Sequence, residues 1–147
     1  MLKDLIRYTE LADRSVIDVF NNSQLELPLA EYLFSHVLNA QHIWLSRINQ
    51  TEPLFERFHV HPKQSFEGML AANIAKLSKV LENDDLERVV TYKTSAGDPF
   101  ENKLGDIMFH VVNHSTYHRA QIASQFKLAG LTPPVTDYVF LRRQGEF

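Results

Sequence analysis

Apolar side chains recur every three or four residues through four long runs of this chain, a period that makes each run a helix with one buried face. The first run carries Leu2, Leu5, Ile6, Ala12, Val16, Ile17 and Phe20. The second, over 29–48, carries Leu29, Leu33, Val37, Ala40, Trp44 and Ile48. The third opens on Ser65 as an N-cap and places Phe66, Met69, Leu70, Ile74, Leu77 and Leu81 on one side. The fourth extends from about Leu104 to about Leu128, where Gly130 can take a left-handed cap and Pro133 and Pro134 prevent continuation.

The stretches between the runs set the architecture. Residues 50–64 hold two prolines and no sustained period, which predicts a long crossing connection. Residues 86–100 are rich in β-branched and aromatic side chains and end in Ser-Ala-Gly-Asp-Pro, so they predict a short extended segment and a turn. The tail from Val135 predicts a short closing helix or strand. No repeat or low-complexity linker divides the 147 residues. The expected fold is all-α, a single domain over 1–147 built as a four-helix bundle with long inter-helix connections, and such bundles place metal and cofactor sites between facing helices.

Composition then removes whole classes of chemistry. The chain has no cysteine, which excludes disulfides, thiolate metal sites and a cysteine nucleophile. A formal net charge of −3 with both signs dispersed offers no basic stripe for nucleic acid. No apolar run approaches membrane-spanning length, and the expected location is the cytoplasm. Metal or catalytic chemistry must therefore use nitrogen and oxygen donors.

Histidine is the residue to follow. His110, His114 and His118 stand four apart in the fourth run, and helical residues at that spacing share a face with Cβ atoms about 5–6 Å apart. His110 and His118 are about 12 Å apart along the axis, too far to share an ion whose bonds to nitrogen are about 2.0–2.1 Å long. A single metal would take His114 and one neighbour. A seam through Leu104, Ile107, Val111, His114, His118, Gln121 and Gln125 turns His114 and His118 inward and leaves His110 to one side. A facing helix should add a ligand. His36 lies along the apolar stripe of the second run, whereas His42 is rotated about 120° from it. His59 and His61 form a His-x-His in a connection without a fixed face, a weaker pattern. Spacing alone leaves two readings of these histidines, metal ligands or hydrogen-bonded core residues. It does exclude the zinc-protease motif, because Ser115, Thr116 and Tyr117 supply no glutamate between the pair.

The segment "HVVNHSTYHRAQIASQFKLAGLTPPVTDYVFLRR", with His110, Asn113, His114, Tyr117, His118, Arg119 and Gln121 followed by Gly130, Pro133, Pro134, Asp137 and Tyr138, resembles the C-terminal signature of the DinB (damage-inducible) family. "LFSHVLNAQHIWLSRI" resembles that family's second helix, in which a histidine precedes a tryptophan by eight residues. Ala120 departs from the pattern where glycine is frequent, adding one methyl group within a helix. The resemblance implies a four-helix bundle of the DinB/YfiT-like metalloenzyme type, commonly a homodimer, with a divalent metal held by His36, His114 and His118.

Three neutral imidazoles leave a fourth position open, the mark of a catalytic rather than a closed structural site. A water there can have its pKa lowered to about 7 and a thiol can be held as thiolate. The expected function is thus a metal-dependent enzyme, either a hydrolase or a thiol S-transferase-like enzyme. Thiol-dependent S-transferases occur in the same superfamily, so the resemblance leans toward transfer. The expected cofactors are a divalent metal, zinc or nickel, and a low-molecular-weight thiol, with a small molecule as substrate. Candidates for orienting the ligands are His110, Asn113, Tyr117, Gln121 and Asp137, since ligating histidines donate their second N–H to a neighbour. Arg119 is a candidate for an anionic substrate group and Trp44 for a cavity wall. The competing reading is a non-catalytic helical protein that binds metal structurally or acts through dimerisation.

Overall fold

The computed structural model describes residues 1–147. It is mostly helical: α1 (Leu2–Asn22), α2 (Pro28–Asn49), a 3₁₀ turn (Lys63–Ser65), α3 (Phe66–Asn83), a hairpin of β1 (Val89–Lys93) and β2 (Pro99–Lys103), α4 (Leu104–Leu128) and α5 (Tyr138–Arg143). Each long helix packs on two others, α1 and α2 both lying against α3 and α4. No helix is long and apolar enough to cross a membrane.

The core has two layers to which every long helix contributes. One is aromatic. Phe20 of α1 meets Phe34 of α2, Phe66 of α3 and Phe126 of α4 at ring-centre distances of 5.9, 5.3 and 5.1 Å. All four rings are buried, and tilted or edge-on contacts of this kind add about 0.5–1.5 kcal/mol per pair beyond burial. The other layer is polar and fully enclosed. Asp13 of α1 accepts hydrogen bonds from Arg119 of α4 at 2.7 Å and from Gln41 of α2 at 3.0 Å. Asn73 of α3 donates to the side-chain oxygen of Gln41 at 3.2 Å, and Gln41 also reaches Ser115 of α4 at 3.3 Å. Arg119 donates further to Tyr8 and Thr116, and Tyr8 donates to the Thr136 carbonyl at 2.8 Å, tying the tail to α1. Burial pushes the Asp13 carboxyl up, against the opposing pull of the Arg119 guanidinium.

Helix boundaries follow local chemistry. Gly130, at φ +77°, closes α4: its N–H reaches the Lys127 carbonyl and that of Leu131 reaches Phe126, a paired arrangement that uses the residue type able to turn left-handed without strain. Ser65 closes the 3₁₀ turn and stands at the expected N-cap position of α3, but its hydroxyl donates to the Pro62 carbonyl and makes no side-chain capping bond. The extended segment expected within 86–100 is β1, paired antiparallel with β2 in a register running from Val89 opposite Lys103 to Lys93 opposite Pro99. The tail takes the helical alternative as α5.

The stripe expected on the second helix shifts by about one residue. Val37 and Ile48 are buried as expected, but Leu29 is exposed and Leu33, Ala40 and Trp44 are only partly buried, while Ala30, Phe34, Leu38, Gln41 and Leu45 are buried. Residues 34–39 are buried without a break because α2 is covered twice, by the other helices and by the 50–62 connection. That connection is sewn down by polar groups: Asn39 donates to the His59 carbonyl at 2.7 Å, the His61 N–H donates to Ser35 at 3.0 Å, and the Leu54 N–H donates to His42 Nε2 at 2.9 Å.

Candidate metal centre

Three histidines from two helices converge at the α2–α4 seam. His36, His114 and His118 each present one ring nitrogen, and these nitrogens all lie within 4.8 Å of one another. The Nε2 atoms of His36 and His114 are 3.1 Å apart. Two imidazoles on one tetrahedral zinc, with bonds of about 2.0–2.1 Å, hold their nitrogens about 3.3 Å apart. The spacing therefore fits a shared ion, and so does a donor set of three imidazole nitrogens.

Hydrogen bonds at Nδ1 orient two of the three rings. His36 Nδ1 lies 3.0 Å from the Arg57 carbonyl, an acceptor only, so Nδ1 carries the proton and Nε2 keeps its lone pair. His118 Nδ1 likewise meets Gln121 Oε1 at 2.7 Å. One ligand is thus oriented by the backbone of the long connection and the other by a side chain one turn along its own helix. Burial pushes His114 down to about 3, with His118, His36 and His110 pushing the same way. Burial also lowers His36, against the opposing Arg57 carbonyl. Both stay neutral at physiological pH, which a metal ligand requires.

The inward seam of α4 differs from the expected one. Buried residues run through Leu104, Met108, Val111, Ser115, Arg119, Ile122 and Phe126, so His114 and His118 stand on its shoulder, half-buried, and Gln121 is exposed. The cause is Arg119. Its 3% exposure and its bonds to Asp13, Tyr8 and Thr116 commit the guanidinium to the core, which corrects its expected availability to an anionic substrate group.

The other expected residues are dispersed. Gln121 touches a ligand directly. His110 lies 5.8 Å from His114 and 5.2 Å from Trp44, ring centre to ring centre, so Trp44 reaches the cluster only through His110. Tyr117 packs edge-on against His118 at 5.0 Å and is otherwise exposed. Asn113 is exposed. Asp137 is the N-cap residue of α5, its carbonyl accepting from Leu141. His61 is buried against Asn39, 2.6 Å from its side-chain oxygen, and His59 stacks on Phe55; neither joins the three-histidine cluster.

Sequence reasoning missed Arg57 and Phe58. Phe58 stacks on His36 at 4.9 Å and on Tyr32 at 5.8 Å, forming an aromatic lid over one face of the ligand. The only local signal is the aromatic and basic alternation of "FERFHVH", which says nothing of the partner helix.

Architecture and cluster together define a helical protein with a three-histidine centre able to hold a metal ion between two of its long helices. The chain belongs to the DinB family, whose model matches residues 21–146. No curated protein and no solved structure matches it.

Proposed function

We propose that this protein is a four-helix bundle of the DinB/YfiT-like type and a metal-dependent enzyme, with His36, His114 and His118 holding zinc or nickel. The observation that carries the reading is the convergence of three imidazoles within 4.8 Å, with no carboxylate or fourth protein ligand to close the coordination sphere. A cation bound there would activate a water or hold a low-molecular-weight thiol as thiolate in the open position, which supports hydrolysis or thiol S-transfer.

The chain's own residues do the positioning. The Arg57 carbonyl and Gln121 fix the tautomers of His36 and His118. Phe58, packed on His36, shields one side of the centre from water. Trp44 and His110 wall the other approach. The substrate is a small molecule and the working form is a cytoplasmic homodimer, neither nucleic acid nor membrane being a partner.

The test is metal analysis of protein purified without a histidine tag, followed by incubation of the zinc and nickel forms with electrophiles and a panel of low-molecular-weight thiols. One equivalent of metal and metal-dependent turnover are expected. A second reading, a non-catalytic metal-binding or dimerisation protein, is favoured by the absence of any Asp or Glu from the cluster, which leaves no adjacent general base. Stoichiometric metal without turnover by water or any thiol would select it.

A further inference from the structure

Beside the histidine centre lies an open groove of about 1180 Å³, bounded by the end of α2, residues 50–58 and the β-hairpin. It is somewhat larger than the roughly 300–1,000 Å³ usual for a small-molecule pocket, so a small ligand would occupy part of it. Arg47 and Arg57 both line it. Neither guanidinium belongs to any of the chain's ion pairs, which use Arg7, Arg14, Arg88, Lys103, Arg119 and Arg142. Each rests on rings instead. Arg47 Cζ lies 4.5 Å from the Trp44 ring centre and 4.9 Å from that of Tyr92, and Arg57 Cζ lies 4.8 Å from that of Phe58.

An arginine stacked on an aromatic face is held in place while its N–H edge stays free to bind a carboxylate or phosphate in a fork. Burial disfavours the Arg47 charge and Arg57 adds to that, against the opposing effect of Tyr92, and an anion in the groove would favour both cations. Glu52, Glu56 and Glu101 also line the groove, but none is ion-paired with either arginine. Lys93 also lines the groove, so three cationic side chains stand against the three carboxylates.

We propose that this groove is a binding site for a small organic anion, whose carboxylate or phosphate is held by Arg47 and Arg57 while Tyr92 and Phe100 pack on its organic part. The site adjoins the histidine centre along two routes. Arg57 and Phe58 are the residues that hold and cover His36, and Arg47 sits on Trp44, which touches His110 beside His114. The inference deepens the enzymatic reading, on which its role in substrate or thiol recognition rests: the anionic end of that molecule occupies the groove and its reactive end reaches the centre.

The test is calorimetric titration of the metal-free and zinc-loaded protein with phenyl phosphate, benzoate and uncharged benzyl alcohol. Saturable binding of phenyl phosphate or benzoate at least ten-fold tighter than benzyl alcohol is expected in the metal-free protein, where no cation can attract the anion, and the stronger of the two identifies the headgroup. Arg57→Gln, at an exposed position, should weaken that binding about ten-fold, and Arg47→Gln by at least as much, with the melting temperature of Arg57→Gln unchanged. Equal binding of the charged and neutral probes, or anion binding that survives both substitutions, would overturn the proposal. Because zinc affinity is read separately, loss of the metal reading and loss of the groove are distinguishable.

Discussion

The Nε2 atoms of His36 and His114 meet at 3.1 Å across 78 positions of sequence, brought together because α2 and α4 pack side by side. His118, one turn further along α4, completes the set, its ring centre 4.7 Å from that of His36 and 4.4 Å from that of His114. The two halves of this candidate chelate are brought together by helix packing and oriented by the Arg57 carbonyl and Gln121.

The first consequence concerns removal of a ligand. His114→Ala should abolish stoichiometric zinc or nickel binding, and His36→Ala should do the same, as read by metal analysis after gel filtration. In the unsubstituted protein, zinc at about 100 times its Kd should raise stability by about 2.7 kcal/mol, a gain both variants lose. Full metal retention in His114→Ala would end the three-histidine assignment.

Gln121 acts on the metal through His118. Gln121→Leu removes the acceptor 2.7 Å from His118 Nδ1 without touching the core, since Gln121 is exposed. Loss of such a supporting group typically weakens metal affinity about 10–100-fold. Competition with a chromogenic chelator measures it, and an unchanged zinc Kd would show that His118 needs no orienting partner.

Arg119 is predicted to matter for folding. Arg119→Ala leaves the Asp13 carboxylate enclosed without its cation, and breaking a buried pair in this way costs about 3–5 kcal/mol. The double variant Asp13→Leu, Arg119→Met removes both charges and should lie well above the additive expectation. Urea denaturation decides the matter. An Arg119→Ala protein of unchanged stability would return this residue to the substrate side of the ledger.

Acid sensitivity provides a separate check at a histidine outside the cluster. His61 is pushed down from the usual imidazole value, by burial first and then by His59 and His42. The unfolded chain therefore takes up this proton at higher pH than the folded one. The contribution of His61 to stability is complete above about pH 6.5 and is lost as pH falls through its lower folded value. In metal-free protein, His61→Gln should flatten the fall of the urea midpoint below pH 6.5. An identical pH profile in the two proteins would exclude His61 as a source of acid lability.

The long helices, their approximate ends and the left-handed turn at Gly130 follow from the chain itself, because period, capping and proline placement act over a few neighbouring residues. The residues identified as candidate ligands, His36, His114 and His118, were also legible, two from their four-residue spacing and all three from the resemblance to the DinB family. The rotation of each helix was not. A pattern of apolar residues fixes a face only to within about one position, roughly 100°, and it assigns charged side chains to the outside by default. Arg119 overrides that default because Asp13, more than a hundred positions away, neutralises it inside the core. Tertiary packing then places the histidines on the shoulder of α4, lays Arg57 and Phe58 over His36, and opens the arginine-lined groove alongside. Each of these depends on pairing across distant segments, and no local sequence period encodes which distant partner a buried charge or a loop carbonyl will meet.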